Sequence, residues 1–161
     1  MLVIHWARQN QTSSILANGI RPAARKDRDT GEKKNAKGVY AYPFSRHKTL
    51  VGNWRRNLKT WDAKRGNYNG FVIRLQPEDF PLMAGYWFFN RREPEEAKIK
   101  SMRELAERYG EFFSGEIADK MEDGFSYDWT DFEIILPQHI EARRIIKVIR
   151  DREPKRKYQH Q

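Results

Sequence analysis

Three short, strand-like segments of the chain each carry one side chain suited to chemistry. His5 lies in the first segment, Tyr40 in the second (residues 37–42) and Glu133 in the third (residues 131–137). An imidazole can donate a hydrogen bond without titrating, an aromatic face can cover a flat ring, and a fixed carboxylate favours positive charge developing on a sugar. Each residue also has a purely structural interpretation. His5 and Tyr40 would then be packed strand residues, and Glu133 a solvated side chain on the outer face.

The pattern of apolar residues and turns predicts the elements that must position these side chains. Strands are expected over residues 2–6, 39–42, 68–75, 83–89, 132–136 and 145–149. Helices are expected over residues 12–18 and 45–60, and one or two helices over residues 94–121. Strands and helices do not alternate in a βαβ rhythm, so we expect an α+β fold. Its core would be a split, mixed or antiparallel sheet with flanking helices. A single domain would cover residues 1–150, and residues 151–161 would form a basic, flexible tail.

Several local sequence signals support these assignments of helices and loops. Thr12 or Ser13 can cap the first helix, and Asn18-Gly19 can end it. Pro94, followed by two glutamates, is typical of a helix start, while Gly110, Ser114 and Gly115 could break that helix. Residues 21–37 are polar and charged, which predicts a long surface loop of a kind that often carries function.

Charge is distributed unevenly along the 161 residues. The net charge is +9 overall, yet residues 1–74 carry 16 basic and only 4 acidic side chains. Residues 75–142 reverse the balance with 7 basic and 16 acidic side chains. Trp54, Trp61 and Tyr68 are interleaved with basic residues, and cations with stacking aromatics suit a polyanion such as a nucleic acid or a dinucleotide. The alternative is a solvated basic face with its tryptophans in the core.

Composition also excludes several classes of function. The chain has no Cys, which excludes disulfides, thiolate nucleophiles and Cys-based zinc sites. Its four His residues are scattered without metal-ligand spacing, so we expect no metal. The sequence shows neither a signal peptide nor an apolar run near the roughly 18 residues of a membrane helix. We therefore expect a cytoplasmic protein with no membrane partner, or one exported by a route that needs no N-terminal signal.

Taken in order, the three segments resemble the His–Tyr–Glu branch of the ADP-ribosyltransferase superfamily. This branch includes poly(ADP-ribose) polymerases, diphtheria-type toxins and small DarT-like toxins that modify DNA. A strand-borne His, a helix with an Ile…Gly-Ile segment, a Gly-Val-Tyr strand and a Glu near the start of a late strand all occur here, at His5, residues 15–20, residues 38–40 and Glu133. The likeness spans residues 2–149 in outline.

The resemblance implies a role for each matching residue, with NAD+ as co-substrate and no metal. His5 would bond a ribose hydroxyl, and Tyr40 would stack on the nicotinamide. Glu133 would bond the 2′-hydroxyl of the nicotinamide ribose and stabilise the cation as nicotinamide leaves. Asp131 stands where the family often has a Gln or Glu that activates the acceptor, so it is a candidate general base.

Other site assignments are less direct. Trp6 follows His5, where the family often has Gly, and this departure affects the backbone contact with the nicotinamide amide. Trp54 is a candidate for a second stacking aromatic. Arg8 is the cofactor-binding arginine we favour, while Arg46 and Arg55 are further candidates for the pyrophosphate.

The resemblance implies an NAD-dependent mono-ADP-ribosyltransferase acting on DNA or RNA, as a bacterial toxin or defence effector. It also implies a neutralising antitoxin or immunity protein, because an active toxin damages its own cell. Three alternatives remain open: transfer to a protein side chain, RNA 2′-phosphotransfer on a similar fold, and a non-enzymatic, basic nucleic-acid-binding domain.

Overall fold

The computed structural model describes residues 1–24, 37–44, 68–87, 95–114 and 131–150. Within these ranges the chain forms seven strands and two helices. The strands are β1 (Leu2–Arg8), β2 (Val39–Pro43), β3 (Tyr68–Arg74), β4 (Leu82–Trp87), β5 (Glu95–Ile99), β6 (Asp131–Leu136) and β7 (Ile145–Ile149), and the helices are α1 (Thr12–Asn18) and α2 (Met102–Ser114). The α+β expectation is therefore confirmed at the level of a mixed α and β architecture. The expected helix over residues 45–60 and the basic tail lie outside the described residues.

The seven strands form one sheet in the order β5-β4-β6-β2-β1-β3-β7. All six pairs of neighbouring strands in the described residues are antiparallel. We expected a mixed or an antiparallel sheet, and these strands form an antiparallel one. The three segments singled out in the sequence lie on β1, β2 and β6. These strands are neighbours in the centre of the sheet although they are far apart in the chain.

Two apolar clusters cover the two faces of the sheet. The larger includes Phe71, Ile73 and Ile134 from the strands, together with Ile15 of α1 and Leu105 of α2. The smaller lies on the other face and consists of Ile4, Trp6, Tyr42, Tyr68 and Val72. Because successive residues of a strand point to opposite faces, this division follows directly from the alternation in β1, β2 and β3. No helix among the described residues is long and apolar enough to cross a membrane.

Helix α1 ends as its sequence predicts but begins differently. Gly19 follows the helix at a φ of 81°, and its N–H donates to the carbonyl of Ile15 at 2.8 Å. Only glycine adopts this left-handed conformation without strain. The expected cap at Thr12 or Ser13 is wrong, because Gln11 occupies the N-cap position without a side-chain bond and Thr12 is already helical. The Thr12 hydroxyl instead accepts a hydrogen bond from the Asn69 amide at 2.9 Å.

The expectation of one or two helices over residues 94–121 is wrong at its start, and residues 115–121 lie outside the described residues. Residues Glu95–Ile99 form the edge strand β5, paired with β4, and the helix begins only at Met102. Ser101 caps that helix, because its Oγ accepts from the N–H of Glu104 at 3.2 Å. The Ser-x-x-Glu spacing is the usual signature of a helix start and could have placed the boundary. Gly110 does not break the helix, which continues to Ser114.

Candidate active site

The pairing of β1 with β2 stops at the residues singled out in the sequence. The recorded register joins Val3 to Pro43 and Ile4 to Tyr42, and the N–H of Phe44 donates to the carbonyl of Leu2 at 2.9 Å. Continued by two residues, the same register would place Trp6 opposite Tyr40. Trp6 and Tyr40 are not paired, so β1 and β2 separate beyond the pair of Ile4 and Tyr42.

The side chain of His5 occupies the position where the strands separate. Its Nδ1 lies 2.6 Å from the backbone carbonyl oxygen of Tyr40. A carbonyl oxygen only accepts, so Nδ1 carries the proton, and in the neutral ring Nε2 is an acceptor. Burial lowers the pKa of His5 below its usual 6.5, while the bond to Tyr40 acts in the opposite direction. The ring is therefore neutral near pH 7.

Glu133 lies in the middle of β6 and is fully buried, with 0% of its surface exposed. The alternative interpretation of Glu133 as a solvated side chain on an outer face is therefore wrong. The strand pairing explains the burial: β6 is an interior strand, and Glu133 stands opposite Gly85 of β4. A carboxylate is costly to bury without hydrogen bonds, and such groups are concentrated at functional sites.

The hydroxyl of Tyr42 donates to Oε2 of Glu133 at 3.3 Å, and both residues are buried. The recorded β2–β6 register ends at Ala41 opposite Ile134. One step further, Tyr42 stands opposite Glu133. Sequence reasoning placed Tyr42 in the motif but gave it no role. Its position two residues after Tyr40 was the available signal, because such residues share one face of a strand.

The structure brings His5, Tyr40 and Glu133 onto three neighbouring strands, but not onto one face. Tyr40 and Glu133 share the face of the smaller apolar cluster. Alternation in β1 places His5 on the opposite face, and its ring contacts Tyr40 along the edge where the strands part. Two strand spacings separate the backbones of His5 and Glu133, a distance of about 10 Å. This span is about the size of one nucleoside rather than of a single small ion.

The other predicted site residues are placed unequally. Trp6 is buried, and among the described residues its indole Nε1 has no hydrogen-bond partner. Arg8 is half-buried at the end of β1, opposite Tyr68. Asp131 begins β6 and pairs through its backbone with Trp87. Trp54, like Arg46 and Arg55, lies outside the described residues.

A polar cluster that sequence reasoning missed fixes the end of β1. Asn69 is 3% exposed, donates to Thr12 and accepts from Gln9 Nε2 at 3.4 Å. These bonds tie β3 to the turn between β1 and α1, just beyond Arg8. Within the described ranges, no group of three His, Asp or Glu residues is arranged to hold a metal ion.

The chain was compared with protein-family models, with curated proteins and with solved structures, and none of the three comparisons found a match.

Proposed function

We propose that this protein is an NAD-dependent mono-ADP-ribosyltransferase of the His–Tyr–Glu kind. One observation carries the proposal. His5 and Tyr40 meet where β1 and β2 separate, and Glu133, whose carboxyl group is fully buried, lies on the neighbouring strand β6. Such a constellation is unlike an ordinary strand interior, where a lone glutamate has no reason to be buried.

His5 is suited to hold a ribose without changing its own charge. Its Nδ1–H is committed to the Tyr40 carbonyl, so the neutral ring offers Nε2 as an acceptor for a ribose hydroxyl. The lowered pKa keeps the ring neutral, which preserves this acceptor over the physiological range. The same bond fixes the orientation of the ring relative to β2.

Tyr40 and Trp6 supply the aromatic surroundings. Tyr40 is half-buried, so part of its ring is available to stack on a flat heterocycle such as nicotinamide. Trp6 stands at the level where the β1–β2 ladder is interrupted, and its backbone edge faces β2 there. An amide of the ligand would bind this strand edge in place of the missing partner strand. Arg8, two residues further along β1, is the residue we propose for the pyrophosphate.

Glu133 would stabilise the charge that forms in the transfer step. The bond between the ribose C1′ and the nicotinamide nitrogen breaks, its electron pair leaves with neutral nicotinamide, and C1′ becomes cationic. The carboxylate accepts a hydrogen bond from the 2′-hydroxyl and favours this cation in a dry environment. The nucleophile of the acceptor then forms a bond to C1′ and loses a proton, for which Asp131 is the candidate base.

A nucleic acid is the acceptor class that the charge favours. The net charge is +9, with the excess of basic residues in the first 74 positions. Phosphate backbones are attracted to such a surface by counterion release. A role as toxin or defence effector, with a neutralising protein partner, belongs to this same proposal.

The test is the release of nicotinamide from NAD, followed by transfer of labelled ADP-ribose to separate DNA, RNA and protein pools. The wild-type protein is expected to release nicotinamide and to label a nucleic acid. Glu133→Gln keeps the shape of the side chain and is expected to lose at least about a hundredfold in rate. Glu107→Gln, an exposed residue of α2, is the matched control and should behave as wild type.

Each arm of this experiment has a distinct meaning. Label in the protein pool alone would leave the enzyme class intact and replace the nucleic-acid acceptor. Absence of nicotinamide release, with wild type equal to Glu133→Gln, would overturn the proposal and favour the non-enzymatic nucleic-acid-binding domain.

A further inference from the structure

We infer that Tyr42 is a positioning residue for Glu133. The inference rests on the proposed function, and it concerns a residue to which the resemblance assigns no role. Its starting point is the hydrogen bond from the Tyr42 hydroxyl to Oε2 of Glu133.

The two side chains meet just beyond the end of a strand ladder. Backbone pairing of β2 with β6 is recorded for Val39, Tyr40 and Ala41, and it ends there. Pro43 follows Tyr42 and has no N–H to continue the ladder towards β6. The side-chain bond between Tyr42 and Glu133 therefore joins the strands directly after their backbone pairing has ended.

Tyr42 is itself held firmly enough to orient a neighbour. Only 6% of its surface is exposed, and it packs in the smaller apolar cluster with Ile4, Trp6 and Val72. Its backbone is paired with Ile4 of β1. Tyrosine has two side-chain torsions, and with its ring packed in this way the hydroxyl has one position.

Glu133 needs such a partner more than an exposed glutamate would. It has three side-chain torsions and no exposed surface, so its carboxylate has no bulk water to solvate it. The Tyr42 phenol holds one oxygen of the carboxylate from β2, the strand that also carries Tyr40. The bond therefore links the position of the carboxylate to the strand of the proposed stacking residue.

The experiment combines kinetics with a double-mutant cycle. Tyr42→Phe removes the hydroxyl and keeps the ring, so kcat for nicotinamide release is expected to fall about ten- to a hundredfold with KM for NAD little changed. Measured by single turnover in a Glu133→Gln background, the same substitution should have no further effect. Glu107→Gln, at an exposed position of α2, is the control and should leave kcat unchanged.

A second measurement does not depend on activity. Urea unfolding of wild type, Tyr42→Phe, Glu133→Gln and the double variant should show coupling of at least about threefold in the unfolding equilibrium constant. Equal loss of kcat in both backgrounds, or unfolding effects that simply add, would overturn the inference. If wild type releases no nicotinamide, the proposed enzyme fails, and the unfolding cycle alone decides whether Tyr42 holds Glu133.

Discussion

His5 is the residue whose chemistry depends most directly on the fold. Its Nδ1–H bonds the carbonyl oxygen of Tyr40, which a further backbone pair of β1 and β2 would have used. Burial of the ring lowers its pKa below 6.5. The protonated ring is disfavoured in the folded chain, so the unfolded chain binds more protons as the pH falls below 6.5. Stability is then fully present above pH 6.5 and is lost as the pH falls towards the lowered pKa.

A non-titrating substitution tests this linkage. His5→Gln retains an amide donor towards the Tyr40 carbonyl but cannot take up a proton. The drop in unfolding free energy between pH 7.5 and pH 5.5 is expected to be larger for wild type than for His5→Gln, measured by urea unfolding. An identical pH dependence in the two proteins would show that His5 is not the group responsible.

The ion pair of Arg144 with Asp79 is the second residue-scale feature. Two guanidinium nitrogens of Arg144 donate to the two carboxylate oxygens at 2.6 Å each, and the side chains are 14% and 6% exposed. This pair joins the start of β7 to the turn between β3 and β4. Asp79→Asn is expected to cost about 3 kcal/mol of unfolding free energy, because it leaves a desolvated guanidinium without its counter-charge.

An exposed ion pair provides the comparison. Arg103 and Glu107 on α2 are also paired, but their side chains are 90% and 63% exposed. Glu107→Gln should therefore cost less than about 0.5 kcal/mol. Urea denaturation followed by tryptophan fluorescence measures the unfolding free energy of both variants. Equal losses of unfolding free energy would contradict the argument that the buried ion pair stabilises the fold more than the exposed one.

At the scale of elements, Leu105 is a residue through which α2 packs against the sheet. Leu105 is fully buried in the larger cluster beside Ile99 and Ala84, whereas Leu16 of α1 is 43% exposed. Leu105→Ala should lower the unfolding free energy by about 3 kcal/mol, and Leu16→Ala by less than about 1 kcal/mol. A shift of the urea midpoint that is the same for both variants would show that α2 does not dock through Leu105.

How far the sequence predicts each element depends on whether local or distant contacts determine it. The strands β1, β2, β3, β6 and β7 were expected within two residues of their observed bounds, because short apolar segments bounded by turn residues mark them locally. Residues 95–99 carry glutamates and follow a proline, which favours a helix locally, yet pairing with β4 makes them a strand. Pairing with a distant strand is not visible in a local pattern.

The candidate site, like the strands, was predictable from the sequence only where local features determine it. His5, Tyr40 and Glu133 could be selected by type and order, but their neighbourhood depends on the strand order β6-β2-β1, which the sequence does not display. The burial of Glu133 was not foreseen, since its apolar neighbours along the chain suit an outward-facing residue as well as an interior strand. The bond from Tyr42 depends on register, and register is a property of paired strands.

For the whole molecule, net charge is the property that bears on the acceptor. A charge of +9 with a pI near 9.8 favours polyanions without selecting among them. Binding to single-stranded DNA or RNA is expected to weaken about a hundredfold or more between 50 and 200 mM salt, in fluorescence anisotropy. Binding that does not change with salt would remove the electrostatic argument for a nucleic-acid acceptor.

The separation of β1 from β2 and the burial of Glu133 are features of the whole molecule. Together they constrain how a ligand could reach the proposed site. Glu133 has no exposed surface, so in the proposed reaction ligand binding would have to bring its carboxylate into contact with the ribose. Lining of the site by residues of the smaller apolar cluster would then exclude water from the transfer step.

A crystal structure of the Glu133→Gln variant with bound NAD tests this account most directly. We predict that the nicotinamide ribose lies between β1 and β2, with His5 Nε2 and residue 133 each within hydrogen-bond distance of a ribose hydroxyl and Tyr40 against the nicotinamide. A dinucleotide bound elsewhere, or crystals soaked at saturating NAD that hold none, would contradict it.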